Sequence, residues 1–248
     1  MNYPSEKVLP YSGNEASKGV QVAKMFDEIA PRYDLLNHAL SFGIDRYWRK
    51  KGILSLQDVC PAKILDIATG TGDLAIQACK MLKPTQITGI DISDGMMQIG
   101  KAKVSGAGLS GVITFEQQDC TAMRFADHSF DAAMIAFGIR NFADIDSGLR
   151  EILRVLRPGG KLMILELSTP EYFPMKQLYQ LYSAIIPVIG RCISRSKAAY
   201  RYLPKSIAAF PQNAKMKAIM EQTGFGKVAY RKMTFGICTM YLGYKSFK

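Results

Sequence analysis

Three aspartates stand at or near the ends of apolar runs: Asp66 in ILDIATGTGD, Asp91 closing QITGID and Asp119 after ITFEQQ. The first run passes through Gly70 and Gly72 straight into a helix-compatible segment, 73–80. At such a turn glycine takes positive φ and lets a ligand touch bare backbone, while unpaired N–H groups at the helix start face a polar group. Asp91 lies at about the 20-residue offset where a carboxylate grips ribose hydroxyls. This chemistry belongs to a nucleotide-type site. Gly70, Gly72 and Ala75 also satisfy the fingerprint G-x-G-x-x-G/A, so an NAD or FAD domain is a rival, and glycine after a strand can serve packing alone.

The elements needed to position these residues follow from hydrophobic patterning. Strands are expected over 64–68, 83–91, 112–118, 129–137 and 161–167, with helices over 94–104 and 145–156 and RPGG at 157–160 to stop the latter. Five β–α repeats in a row predict an α/β fold with a doubly wound, mostly parallel sheet. Segments 227–233 and 237–244 add an antiparallel pair at the edge, which makes seven strands. Ligands of such sheets lie at the carboxyl ends of the strands, so Asp66, Asp91 and Asp119 are expected to point into one crevice, with Arg140 of GIRN at the exit of the fourth strand.

Residues 1–19, polar with Pro4 and Pro10, read as a loose arm ahead of a single domain over 20–248. Val22, Met25, Phe26 and Ile29 fall at helical spacing until Pro31. The next stretch interleaves apolar residues with Arg46, Arg49, Lys50 and Lys51; Trp48 is assigned to packing, and the lysines to either solvent or an anionic surface. Residues 170–226 break the rhythm with a long apolar helical segment bent by Pro187, then alternating basic and aromatic residues. They read as a helical cover carrying apolar surface for a greasy substrate, or as a plain packing layer.

Composition narrows the classes. No apolar run approaches the roughly 18 residues of a membrane span and the N-terminus lacks the hydrophobic region of a signal peptide, so a soluble, cytoplasmic protein is expected. The five cysteines (Cys60, Cys79, Cys120, Cys192, Cys238) are scattered and form no C-x-x-C pair, and His38 and His128 stand in unrelated contexts; reduced thiols and no metal site are expected. The net charge of +11 falls entirely in residues 170–248, which hold 13 basic residues against Glu171 and Glu221. Such asymmetry suits nucleic acid, the anionic inner face of a membrane, or simple solubility. The basic residues alternate with apolar ones rather than clustering, which favours a membrane and leaves no nucleic-acid partner expected.

The order of glycine turn, acid-ended second and third strands, LRPGG and closing hairpin resembles the class I S-adenosylmethionine-dependent methyltransferases, a Rossmann-like fold. AKMFDEIAPRYDLLNHALSFGIDRYWRK, FGIRNFADIDSGLREILRVLRPGG, AYRYLPKSIAAFP and MTFGICTMYLGYK are similar to the quinone-biosynthesis C-methyltransferases, from about residue 20 to the end. The resemblance implies S-adenosyl-L-methionine as cofactor, held by Asp66, Gly70, Thr71, Gly72, Asp91, Asp119 and Cys120. Thr71 would meet the methionine part, Asp91 the ribose, and Asp119 with Cys120 the adenine. Members often carry a pair such as Asn-Ala at 119–120 and serine at 136, where this chain has Asp119–Cys120 and Ala136.

The implied substrate is a reduced prenylated quinone, demethylmenaquinol before a ubiquinone precursor; a nucleic-acid methyltransferase and a nicotinamide-dependent oxidoreductase are the other classes. Arg140 would stabilise a phenolate and Tyr33 relay its proton; a structural ion pair and core packing are the respective alternatives. Peripheral contact with the inner face of the cytoplasmic membrane is expected from the basic last third, and a homodimer is compatible with it.

Overall fold

The computed structural model describes residues 3–193 and 197–247; for 185–193 and 197 it describes the backbone only. Seven strands, β1 (Lys63–Ile67), β2 (Gln86–Asp91), β3 (Ile113–Gln117), β4 (Phe130–Ala136), β5 (Leu156–Leu167), β6 (Phe225–Met233) and β7 (Cys238–Lys245), form one sheet in the order β3-β2-β1-β4-β5-β7-β6. The pairs among β1 to β5 are parallel, and β7 runs antiparallel to both β5 and β6. The strand order reverses between β1 and β4, which opens a crevice at their carboxyl ends.

β1 and β4 are buried almost throughout, as strands covered on both faces must be. Alternation sends Leu65, Ile67, Ala133, Ile135, Leu162 and Ile164 to one face, and Ile64, Ala132, Met134, Met163 and Leu165 to the other. The first face is covered by α6 (Ile145–Val155) and α9 (Ala214–Thr223), the second by α3 (Ile44–Leu54), α4 (Asp73–Leu82) and α5 (Asp94–Gly106). In α6, Ile145, Leu149 and Ile152 form the buried stripe, and the Asp144 carboxylate caps the first turn by accepting the Ser147 N–H at 2.8 Å.

A third apolar cluster lies beyond the strand ends, where α1 (Lys18–Ile29) and α2 (Tyr33–Leu40) meet α8 (Lys197–Ala209) through Val22, Met25, Leu36, Ala199 and Tyr202. With α7 (Met175–Ile193), these helices roof the crevice. The stretch 170–226 therefore divides, because α9 belongs to the sheet layer instead. Pro187 and Cys192 fall among the side chains outside the description; Cys60, Cys79, Cys120 and Cys238 are free thiols.

Several expectations change. Between β3 and β4 there is no helix, so the β–α rhythm breaks once. Residues 118–129 must carry the chain back along the sheet and across two strands, a reach that extended chain covers at about 3.3 Å per residue and a helix at about 1.5 Å does not. Arg154 holds this connection by donating to the carbonyls of Met123 (2.9 Å) and Phe125 (2.7 Å). RPGG bulges within a strand: Leu156 already pairs with Phe130, and Lys161 resumes with Ala132.

Residues 3–18 are strapped to the domain rather than loose. Glu6 Oε1 accepts the Ile145 N–H at 2.9 Å, and the Tyr3 hydroxyl donates to Asp146 at 2.7 Å. Lys18, buried, donates to the carbonyls of Ser5 (2.8 Å), Phe142 (2.9 Å) and Arg140 (3.2 Å). Polarity suggested solvent; these polar groups instead satisfy backbone donors and acceptors around the start of α6.

Ile164 is fully buried at the centre of the first face. Ile164→Ala is expected to lower the unfolding free energy by about 2–5 kcal/mol, read from urea titrations with an unchanged slope.

Candidate active site

Two spaces adjoin at the carboxyl end of the sheet. The first is a narrow cleft of about 70 Å³ between the glycine turn and the loop after β4; Gly70, Asp91, Asp119 and Cys120 lie along it, with Ile92, Met96 and Phe142 as apolar wall. The second is a cavity of about 300 Å³ under the roof of α1, α2, α7 and α8, lined by Met25, Leu36, Trp48, Leu178, Tyr202 and others. Phe26, Tyr33 and Phe137 line both, so one ligand in each would meet there.

The cleft is shaped by backbone. Ala68, Gly70 and Gly72 all have left-handed φ (+53°, +57° and +75°), which folds the turn under β2. Asp91 braces it: its carboxylate accepts the N–H of Gly70 at 2.8 Å and of Ser93 at 2.9 Å. Burial pushes the Asp91 carboxyl up, opposed by those two N–H groups. Opposite, Gly138 has no room for a side chain, since a Cβ there would come within 2.5 Å of Ala68 Cβ. Asn141, on the same loop, keeps a buried side-chain oxygen with no partner among the described residues.

The cavity is apolar apart from a few groups. Arg140, 6% exposed, bonds Glu166 Oε1 at 2.7 Å, and Glu166 is fully buried on β5. Burial opposes the guanidinium charge, but Glu166 together with Tyr33 and Tyr202 more than offsets this and holds Arg140 above its ordinary range. Burial likewise pushes the Tyr33 phenol up, partly countered by Arg140, so Tyr33 keeps its proton. Trp48 Nε1 donates to Thr234 at 2.7 Å, which satisfies the indole while its ring forms cavity wall.

An ionic network ties this roof to the floor. Lys103 on α5 bridges Asp34 on α2 (2.8 Å) and Asp73 at the start of α4. Arg49 on α3 joins Asp45 (2.6 Å) to Asp73 (3.4 Å), and His38 stands 2.9 Å from Asp45.

A polar cleft that opens into an apolar cavity is thus built at the carboxyl end of the sheet, and the chain that builds it is similar to known proteins. The model of the ubiE/COQ5 methyltransferase family matches residues 14–245. The chain belongs to the ubiE/COQ5 methyltransferase family. It is 55% identical over 246 residues to a demethylmenaquinone methyltransferase of Bacteroides fragilis, covering 99% of this chain and all of that one. A ubiquinone/menaquinone biosynthesis C-methyltransferase of Geobacter sulfurreducens is 46% identical over 93% of this chain and 91% of its own length. Among solved structures, an S-adenosylmethionine-dependent methyltransferase of Thermotoga maritima shares the fold at TM-score 0.61 and 18% identity, covering 90% of this chain and 99% of that one. As a member of the ubiE/COQ5 family the chain is an S-adenosylmethionine-dependent methyltransferase.

Within this ubiE/COQ5 chain the sequence-selected residues divide. Gly70, Asp91, Asp119 and Cys120 gather at the cleft, Tyr33 stands at the junction, and Arg140 faces the cavity. Asp66, Thr71 and Gly72 stand behind the turn and do not line the cleft. Strand alternation turns Asp66 away from the face of Leu65 and Ile67; it accepts from Thr69 Oγ1 at 2.7 Å and from the N–H of Ala75, stapling the turn to α4. Thr71 donates its hydroxyl to Asp34 at 2.6 Å. Gly72 is needed for packing, since a Cβ there would lie 2.9 Å from the Phe115 ring. Sequence reading missed Glu166, whose one signal is an acid inside the buried run LMILELS. It also missed the Asp34–Lys103–Asp73 network, which joins distant segments and has no local signal.

Burial, countered by Thr69 and reinforced by Asp91, raises the Asp66 carboxyl to about 7. A carboxyl raised on folding stabilises fully below its ordinary 3.8 and loses that contribution as pH climbs to about 7. Wild-type stability, measured against Asp66→Asn by urea unfolding, is expected to decline through that window by up to about 1.4 kcal/mol per pH unit.

Proposed function

We propose that this enzyme methylates the ring carbon of a reduced prenylated quinone, converting demethylmenaquinol to menaquinol. The observation that carries the reading is the buried Arg140–Glu166 pair in a 300 Å³ apolar cavity that adjoins the cofactor cleft. Such a cavity suits an aromatic ring with an isoprenoid tail, and a fixed cation in it suits the oxygen of that ring.

The residues of the cleft fit S-adenosyl-L-methionine. Asp91 is placed for the ribose hydroxyls, Asp119 and Cys120 for the adenine, and Gly70 for close backbone approach; the unpartnered Asn141 oxygen can accept from an ammonium group. Asp66, Thr71 and Gly72 act on the cofactor through the shape of the turn. The bound cofactor supplies an electrophilic sulfonium methyl.

A ring carbon becomes nucleophilic when the adjacent oxygen releases its proton and pushes electrons into the ring. Arg140 stabilises the negative charge growing on that oxygen, and Glu166 fixes the guanidinium without neutralising its far side. Tyr33, protonated and placed between the two spaces, relays the proton away. Phe26 and Phe137 complete the junction and keep water from the point where the two spaces meet. The carbon then sheds its own proton, the ring is aromatic again, and its oxygen takes back a proton through Tyr33, so that one proton is released overall. Since a prenylated quinol dissolves in lipid, the working place of the enzyme is the cytoplasmic side of the membrane, as a peripheral protein; a homodimer is compatible with this.

Arg140→Ala would leave Glu166 as a lone buried carboxylate, so the test pairs it with Glu166→Gln. The double variant is expected to bind S-adenosylmethionine within about twofold of wild type by calorimetry and to lose about 10²–10³-fold in turnover of reduced demethylmenaquinone. A parallel loss of cofactor affinity would contradict the assignment.

A further inference from the structure

Exposed apolar side chains surround the open side of the cavity. Phe42 and Leu178 line its wall yet are 83% and 55% exposed. Phe235 follows the cavity residue Thr234, and Tyr172 and Phe173 shortly precede the cavity residue Met175; these three are 74–82% exposed. The residues come from the α2–α3 turn, the entry to α7 and the β6–β7 turn, three stretches distant in sequence. Single exposed aromatics are ordinary, whereas a group drawn from three segments around one opening marks a contact surface. Phe235 holds a left-handed φ of +56°, a strained conformation for a bulky residue, with its ring outward.

Charge supplies the second half of the argument. Lys51 stands on the exposed side of α3, its ammonium 5.7 Å from the centre of the Tyr47 ring, and Lys176 on α7 is exposed as well. The neighbouring acid, Glu171, is engaged by Lys232 (2.7 Å) and Asn213 (2.8 Å). Apolar rings bordered by cations match the boundary between the acyl chains and headgroups of an acidic bilayer. Lys232 also stands at this face, its ammonium 5.7 Å from the centre of the Tyr172 ring, whereas Lys227 and Arg231 are on the edge strand β6, where charge discourages pairing with another strand.

The geometry points to a peripheral docking face for an anionic phospholipid bilayer, formed by Phe42, Tyr172, Phe173, Leu178 and Phe235 with Lys51 and Lys176 at its margin. Docked there, the cavity mouth meets the lipid, and an isoprenoid tail passes from bilayer to cavity without crossing water. The face uses no spanning segment; among the described residues no helix is long and apolar enough to cross a membrane. The passage of the tail rests on the quinol reading, whereas binding to lipid does not.

The test is flotation of the full chain with vesicles of phosphatidylcholine alone or mixed with phosphatidylglycerol. Wild type is expected to float with the mixed vesicles and at least tenfold less with the neutral ones. Phe173→Ser combined with Phe235→Asn, neither residue lining the cavity, is expected to lower partition at least tenfold. The same variant should turn over a short-tailed soluble quinol like wild type and lose rate on a long-tailed quinol in vesicles. Wild type left unbound, or a variant that floats equally well, would overturn the proposal. So would a wild-type dimer in lipid-free sedimentation that the double variant converts to monomer, since a second copy would then cover the face. Failure of wild type on the short-tailed quinol would refute the quinol reading and leave the flotation result standing.

Discussion

Two opposite charges sealed in hydrocarbon constrain everything around them. Arg140 and Glu166 are both removed from water, and each alone would cost several kcal/mol to bury, so neither is tolerable without the other. Their pairing requires that the loop after β4 and the end of β5 keep a fixed separation. Parallel pairing of β4 with β5 supplies that, and Lys18 reinforces it by holding the carbonyls of Arg140 and Phe142 from the other side. A cation made permanent in this way is useful to a reaction whose charge grows on an oxygen, because it needs no rearrangement as the charge appears.

The neighbouring glycine turn shows how one short segment serves two masters. Gly70 faces the cleft, whereas Gly72, two residues on, exists to admit the Phe115 ring. Asp66 and Asp91 divide in the same manner: one staples the turn to α4 from behind, the other braces it from the front and lies along the cleft. A strand turning into a helix thus spends part of its polar residues on its own shape. The ionic network through Asp34, Lys103 and Asp73 extends that shape to the roof, so the helices that enclose the greasy cavity are tied to the elements that form the floor of the cleft.

The chain by itself determined the sheet, the glycine turn, the family and the acids worth watching, because each is written in local signals: period-two burial, glycine at a strand end, a carboxylate at a set offset. Arg140 too was legible from GIRN at a strand exit. Tertiary structure alone decided which of those acids line the cleft, since Asp66 is turned away by the alternation of β1 relative to a face that only packing defines. It also decided that polar residues 3–18 are a strap, that β3 and β4 are joined without a helix, and that Glu166 partners Arg140. Those outcomes depend on contacts between segments far apart in sequence, and the free energy of such a contact is set by what folding brings opposite it, which no stretch of chain carries alone.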